Sequence, residues 1–320
     1  MQYQRLQEIL EGARSKRVLI AGDLILDEFV WGEVSRISPE APVPVVRVTG
    51  ESWFPGGAAN VARNVRELAG HVSLLGVTGD DEHGRRLVRI LDEAGIDTSG
   101  IICDPARSTI VKTRVIAKHQ QVVRVDRERL SVDSISPRVI EGIRAAAPVD
   151  AAIISDYAKG CVTQDVANEL IGRFPIVTVD PSPLNPIDLS GATAIKPNRA
   201  EALRAANVLD GSAGAIEQVG VQLLDKWRTQ LILLTLGEEG MMLFERGRPP
   251  YHTPTRAREV FDVSGAGDTA IAAFTVALAA GATPEEAAEI ANEASGIVVG
   301  KLGTAVVTRD ELLARRREAE

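Results

Sequence analysis

Cysteine is nearly missing from this chain: Cys103 and Cys161 are the only two in 320 residues. So few thiols exclude a disulfide-stapled scaffold and point to a reducing compartment. Histidine is scarce too. His71, His83, His119 and His252 are scattered, and no His-x-x-x-His or Cys-x-x-Cys pair offers a structural zinc site. There is no long basic run, and the net charge of −8 makes nucleic acid an unlikely class of partner. The longest soft apolar run, Ala270 to Ala280, is too short to span a bilayer. The opening "MQYQRLQEILEGARSK" is amphipathic and mixed in charge, without the apolar centre or small-residue cleavage site of a signal peptide. These absences lead us to expect a cytoplasmic protein with no membrane partner.

What is present is ordinary for a globular protein with a full core: 45% hydrophobic and 25% charged residues. Near-continuous apolar runs at 17–22, 72–79, 151–156, 175–180, 193–198 and 230–237 read as strands covered on both faces. Helical patterns lie at 58–70, 81–95, 136–148, 163–174 and 215–227. The alternation predicts an α/β fold with a mostly parallel central sheet and helices on both faces. Ligands in such sheets bind beyond the carboxyl ends of the strands, where Asp23, Asp156, Asp180, Asn198 and Thr235 fall. Two half-polar segments break the pattern. One, 35–50, carries Pro39, Pro42 and Pro44 beside alternating valines; the other, 109–128, reads as two strands around a turn near Lys118–Gln121. They predict a small antiparallel β lid, at about 30–52 and 101–128, on a single domain spanning 1–320. There is no internal repeat or linker-like boundary.

The densest signal is "VFDVSGAGDTAIAAF", 260–274, where a strand-like run passes through Gly265, Ala266 and Gly267 to Asp268 and then an Ala-rich helix. Bare glycines let backbone N–H groups approach a ligand, and a helix start adds unpaired N–H groups and a positive dipole end. Together they form an anion socket. Asp268 is then either a helix N-cap or a base beside that socket. Earlier, "FPGGAANVARNV" (54–65) holds Gly56, Gly57 and Asn60, either a tight turn or a place where a ligand lies against backbone. "KPNRAEA" (196–202) sets Asn198 and Glu201 three apart, on one face of a starting helix, as a cap or as metal-organising groups. The "GKLGT" at 300–304 lacks Walker A spacing, "AGDLILD" lacks the dinucleotide Gly-x-Gly-x-x-Gly, and no protein-kinase His-Arg-Asp or Asp-Phe-Gly set occurs.

In this order, the motifs resemble the ribokinase-like carbohydrate kinases over nearly the whole chain. Within that family, "GDLILDEFVWGEVSRISPEAPVPVV" (22–46), "SDYAKG" (155–160), "KHQQVVRVD" (118–126) and "VVGKLGT" (298–304) are similar to the heptose 7-phosphate kinases. These form the kinase half of bifunctional enzymes that make ADP-heptose for lipopolysaccharide. The resemblance implies a ribokinase-like fold and ATP-dependent phosphorylation at the anomeric oxygen. Separately, the half-polar strands of 35–50 and 109–128 should expose a valine-rich edge, which leads us to expect a homodimer through the lid. No nucleotidylyltransferase domain is expected in these 320 residues, so a separate one would act downstream.

The same resemblance assigns roles. Asp268 is the base, and the N–H groups from Gly265 through Ala266 and Gly267 to Asp268 hold the migrating phosphoryl group. Asp27, Gly56, Gly57, Asn60 and Asp156 bind sugar, with Arg36 closing over it. A sugar 7-phosphate also needs a cation site of its own: Lys112, Arg114, Arg124 and Lys159 are either that site, for which Arg is suited by its bidentate geometry, or a solvated basic face. Asn198, Thr235, Gly237, Gly265, Gly267, Asn292, Lys301 and Gly303 lie along ATP. Asn198 and Glu201 organise Mg²⁺ through water. Asp262 and Ser264 match positions that take a monovalent cation, K⁺, in some relatives. Competing readings are a kinase for another sugar or a nucleoside, and an inactive sugar-binding or assembly module. The intact Asp268, Gly-Ala-Gly, Asn198 and Glu201 speak against the latter.

Overall fold

An amphipathic helix, α1 (Tyr3–Ala13), packs Leu6, Ile9, Leu10 and Ala13 inward and leads into β1 (Arg17–Gly22). The computed structural model describes residues 1–118, 120–130, 135–209, 211–257, 260–301 and 303–318. After β1 come β2 (Leu24–Ile37), β3 (Pro44–Gly57), α2 (Ala58–Leu68), β4 (His71–Gly79), α3 (Glu82–Glu93) and β5 (Ile101–Asp104). A second hairpin, β6 (Ile110–Ala117) and β7 (Gln120–Arg127), precedes α4 (Ser136–Ala145), β8 (Ala151–Ser155) and α5 (Gln164–Arg173). Then follow β9 (Val177–Asp180), β10 (Ala194–Ile195), α6 (Arg199–Ala206), α7 (Ala213–Lys226) and β11 (Leu231–Thr235). The chain closes with β12 (Met241–Glu245), β13 (Tyr251–Thr253), α8 (Ala266–Ala279), α9 (Pro284–Val298) and α10 (Arg309–Arg317). His119 and Leu302, in the lid turn and the "GKLGT" stretch, lie outside the described residues.

The large sheet has nine strands in the order β13-β12-β11-β10-β9-β8-β1-β4-β5, parallel except where β12 and β13 fold back. Its central strands are apolar on both faces because each face is roofed. Leu6, Val61, Val65, Phe274, Ala291 and Leu312 belong to one buried cluster; Val139, Val166, Leu170, Ala202 and Leu223 belong to the other. Helix α8 is buried from Asp268 through Ala277, so its small side chains serve close packing rather than propensity alone.

The lid is a four-stranded sheet, β3-β2-β6-β7. Two of its pairings are antiparallel as expected, but β2 and β6 run parallel. The reason is connectivity: β6 arrives only after the chain has crossed the large sheet through β4 and β5, so it enters in the direction of β2. Residues 101–104, expected in the lid, are β5, paired with β4 in the large sheet. Strand β2 also starts earlier than its half-polar stretch suggested. Leu24, Ile25, Leu26 and Asp27 are buried, and exposure rises only towards Ile37, so one strand runs from the core into the lid.

Asp23, between β1 and β2, locks the loop after β8 into place. Its carboxylate accepts the N–H groups of Tyr157 (2.8 Å), Lys159 (3.0 Å) and Cys161 (3.0 Å), while Ala158 sits at φ 55°. A non-glycine residue in that region persists only when its surroundings hold it. Asp23→Ala leaves these donors without their acceptor and should lower unfolding stability by about 3 kcal/mol, read from urea melts. A loss under about 1 kcal/mol would show that the loop does not depend on Asp23.

Candidate active site

Gly265 takes the N-cap position of α8 at φ 80°, a conformation that favours glycine. Asp268 is therefore not the cap. It is the third residue of the helix, only 4% exposed, with its carboxylate turned inward. Asn60 of α2 donates to Asp268 Oδ2 at 2.8 Å, and Tyr157 Oη donates to Oδ1 at 2.6 Å. A Cβ on Gly265 would stand 2.6 Å from Asn60 Nδ2. The early and late glycine signatures are thus parts of one device, since Gly265 must be bare for Asn60 to reach Asp268. Burial pushes the Asp268 carboxyl up to about 6, against the opposing pull of the Tyr157 and Asn60 donors. It remains ionised at neutral pH and is basic enough to take a proton.

The socket is narrower than expected. Among the described residues no backbone carbonyl pairs with the N–H groups of Gly265, Gly267 or Asp268, but Ala266 N–H is turned onto Val263 O at 3.3 Å. Lys196, which the sequence reading passed over, lies 3.0 Å from Asp180 Oδ1 and is 3% exposed. Burial opposes its charge, yet Asp180, with Glu201 and Asp268 nearby, outweighs this and holds its pKa above the ordinary lysine value. A Cβ on Gly267 would approach Lys196 Nζ to 3.3 Å, which places that cation over the socket.

Two cavities meet here. One, of about 350 Å³, is lined by Asp156, Tyr157, Asp180, Lys196, Glu201 and Asp268, among others. The second, of about 520 Å³, includes Gly237, Gly240, Val260, Val263, Asn292 and Gly296. Thr235 and Gly267 border both. The second cavity is mostly apolar, with Val260 63% and Val263 70% exposed along its wall. The first is acidic. Asp156, Asp180, Glu201 and Asp268 face Lys196 as the sole cation among its lining residues.

The expected residues sort by placement. Asp27 is buried and ion-paired with Arg114 at 2.5 Å. A Cβ on Gly56 would overlap Asp27 Oδ2, so Gly56 is the bare surface on which that carboxylate rests. Gly57, at φ 57°, is held against Asp23 O. Lys112 Nζ lies 5.5 Å from the centre of the Tyr157 ring, and burial lowers its pKa. Arg124 is exposed and paired with Asp126, Lys159 is paired with Glu128, and Arg36 is exposed at the far end of β2. Asp156 lines the acidic cavity, where burial raises its carboxyl to about 6. Asn198 and Glu201 form a reciprocal capping box on α6, with Glu201 also facing the cleft.

Of the residues expected along ATP, Asn292 lines the apolar cavity while its amide binds Thr253 Oγ1 and Pro254 O. Lys301 is not among the lining residues: its ammonium binds Val306 O at 2.7 Å and Glu311 at 2.6 Å. Gly303 is also outside the cavity, donating its N–H to Asp262 Oδ2. Asp262 spends its other oxygen on Ser264 N–H, so it clamps two loops. Among the described residues no group of three or more His, Cys, Asp or Glu side chains could hold a metal. Tyr157 and Lys196 are the two groups that sequence reasoning missed. Both sat inside quoted stretches, "SDYAKG" and "KPNRAEA", next to the residues that were chosen.

Residues 24–310 match the pfkB family of carbohydrate kinases. The chain belongs to that family of carbohydrate kinases. It is 42% identical to the bifunctional protein HldE of Magnetococcus marinus over 308 residues, covering 93% of this chain and 63% of that protein. It is 46% identical to HldE of a Caulobacter species over 304 residues, 92% and 62% respectively. The chain therefore spans just under two thirds of the curated relatives it matches. Its fold is shared with phosphofructokinase-2 of Escherichia coli at TM-score 0.79 and 18% identity, covering 95% of this chain and 99% of that one. Arabidopsis thaliana ribokinase aligns at TM-score 0.75 and 20% identity, over 95% and 99%.

Asp268→Asn should lower turnover by about 10²–10⁴-fold with ATP binding and folding retained. A variant keeping more than about a tenth of wild-type turnover would remove the base from Asp268. Wild-type turnover should itself fall as pH drops through about 6, because protonation removes the acceptor for the sugar proton. Gly265→Ala should cut turnover to a similar degree by displacing Asn60; unchanged kinetics would show that this close approach does not matter.

Proposed function

We propose that this kinase phosphorylates D-glycero-D-manno-heptose 7-phosphate at its anomeric oxygen, releasing ADP and heptose 1,7-bisphosphate on the way to ADP-heptose and lipopolysaccharide core. The observation that carries the reading is a cation on the acceptor side of the base. Lys112, on lid strand β6, stands over the ring of Tyr157, whose hydroxyl holds Asp268. Of the four basic residues expected at the distal phosphate, Arg114, Arg124 and Lys159 carry carboxylate partners; Lys112 has no ion pair among the described residues. Similarity to the bifunctional HldE proteins, together with the resemblance of the stretches at 22–46, 118–126, 155–160 and 298–304 to the heptose 7-phosphate kinases, narrows the sugar.

In this reading adenosine occupies the apolar cavity and the γ-phosphate reaches the junction at Thr235 and Gly267. Asp268 accepts the anomeric hydroxyl proton as that oxygen attacks phosphorus and the bond to the ADP oxygen breaks. The N–H groups of Gly265, Gly267 and Asp268, with Lys196, take the charge that develops on the phosphoryl oxygens. Mg²⁺ suits the surplus of carboxylates in the acidic cavity, where Asn198 and Glu201 would hold it through water. When bound it supplies charge neutralisation for the phosphates.

A panel of sugars assayed for ADP release should place heptose 7-phosphate about 10²–10⁴-fold above unphosphorylated heptose and ribose in kcat/KM. Fructose 6-phosphate should also fall well below it. Phosphorus NMR should find the new phosphate on the anomeric carbon. Lys112→Ala should raise the sugar phosphate KM by about 10–100-fold and spare that of ATP. Ribose or a nucleoside matching heptose 7-phosphate would reject this substrate while leaving the kinase intact.

We also propose a homodimer through the lid. Strand β7 is an edge of the lid sheet and is exposed throughout, with Val122, Val123 and Val125 uncovered. Such an edge invites a second copy. Light scattering should give a dimer at micromolar concentration, and Val123→Lys should release monomer; a wild-type monomer would end the proposal.

A further inference from the structure

We propose that Tyr157 is a positioning residue for phosphoryl transfer, its hydroxyl fixing the orientation of Asp268 and stabilising it as the carboxylate. The inference rests on Asp268 being the base. The geometry is built rather than incidental. Tyr157 Oη donates to Asp268 Oδ1 at 2.6 Å, within a cleft that both residues line. The tyrosine main chain is fixed from below by Asp23, and the next residue, Ala158, is held in the left-handed region by that lock and by its own N–H bond to Asp156 Oδ1 at 2.8 Å. A backbone so constrained is a costly way to place a side chain that only fills space.

The surroundings show why the donor is needed. Asp268 faces Asn60 from α2, Tyr157 from the loop after β8, Asp180 from the end of β9 and Lys196 from the segment after β10. Burial and the Asp180 charge favour the protonated acid; Tyr157, Asn60 and Lys196 favour the carboxylate. Asn60 secures Oδ2 alone, so without the phenol the other oxygen loses its described donor. Lys112 above the Tyr157 ring ties the same hydroxyl to the lid. The positive charge over the ring strengthens the phenol as a donor.

The test is a ¹³C NMR titration of the aspartate carboxyls in the unliganded protein, with the Asp268 signal assigned by its loss in Asp268→Asn. In Tyr157→Phe the Asp268 midpoint should rise from about 6 by about one pH unit, because one donor to the charged form is gone. Turnover of the same variant should be about tenfold low at acid pH and recover only in part by about pH 9, the remaining deficit in kcat reporting the lost orientation. Replacing Tyr157 with 3-fluorotyrosine makes a stronger donor and should move the midpoint down; this also decides the matter if Tyr157→Phe does not fold. An unchanged midpoint in either protein would overturn the proposal. The titration does not depend on which sugar is phosphorylated. Loss of the heptose activity would therefore strike the substrate reading, and an unmoved titration would strike this one.

Discussion

A single buried carboxylate organises the molecule. Asp268 sits where a charge is expensive, and it is held there by Asn60 from one glycine signature and Tyr157 from a strained loop, beside the Lys196–Asp180 pair. Each partner comes from a different element, so the large sheet, α2 and α8 must all be in register before this carboxylate is held. The glycines serve the same end. Gly265 yields space to Asn60, Gly56 yields space to Asp27, and Gly267 yields space to Lys196. Each of these three positions marks a polar side chain brought close to backbone.

That arrangement divides the work between two cavities. The apolar one is roomy and one-sided, suited to a base and ribose; the acidic one is small and charged, suited to phosphates accompanied by metal. They share a border at Thr235 and Gly267, where the proposed reaction would pass the phosphoryl group from donor to acceptor. The lid contributes from the opposite side. Its long strand β2 grows out of the core, so Asp27 is anchored while Ile37 is free. The Asp27–Arg114 pair neutralises two groups expected to bind substrate independently, which leaves Lys112 as the lid cation that stands over the Tyr157 ring without an ion pair among the described residues. Replacing either member of that pair would strand its partner's charge in a half-buried place, so a kinetic defect there would report structure as much as recognition.

Much of this was legible in the sequence because the demands were local. A left-handed N-cap needs Gly265, and buried parallel strands need unbroken apolar runs such as 17–22 and 151–156. The socket, the sugar-side glycines and the Asn198–Glu201 box all announce themselves within a few residues. What escaped was tertiary. Tyr157 looks like any loop aromatic until α8 brings Asp268 to it, and Lys196 looks like a strand-end lysine until Asp180 faces it. The parallel β2–β6 pairing depends on where the chain has been between those strands, which no local pattern records. Strand β5, four residues long, is too short to carry a periodic signal, whereas β10, only two residues long, lies within the apolar run read at 193–198. Lys301 and Gly303 were placed along ATP by their motif, yet folding turns them to Glu311 and Asp262, because a loop sequence does not state which way its side chains point.

The central claim is that Asp268 lies between the acceptor oxygen and the phosphoryl group in transit. A crystal structure with ADP, aluminium fluoride and heptose 7-phosphate addresses this directly. The account predicts the fluoride group at the N-terminus of α8, hydrogen-bonded to the Gly267 and Asp268 N–H groups, with the anomeric oxygen about 2.6–3.2 Å from the Asp268 carboxylate. A sugar bound with its anomeric oxygen away from Asp268, or a fluoride group seated elsewhere, would contradict it.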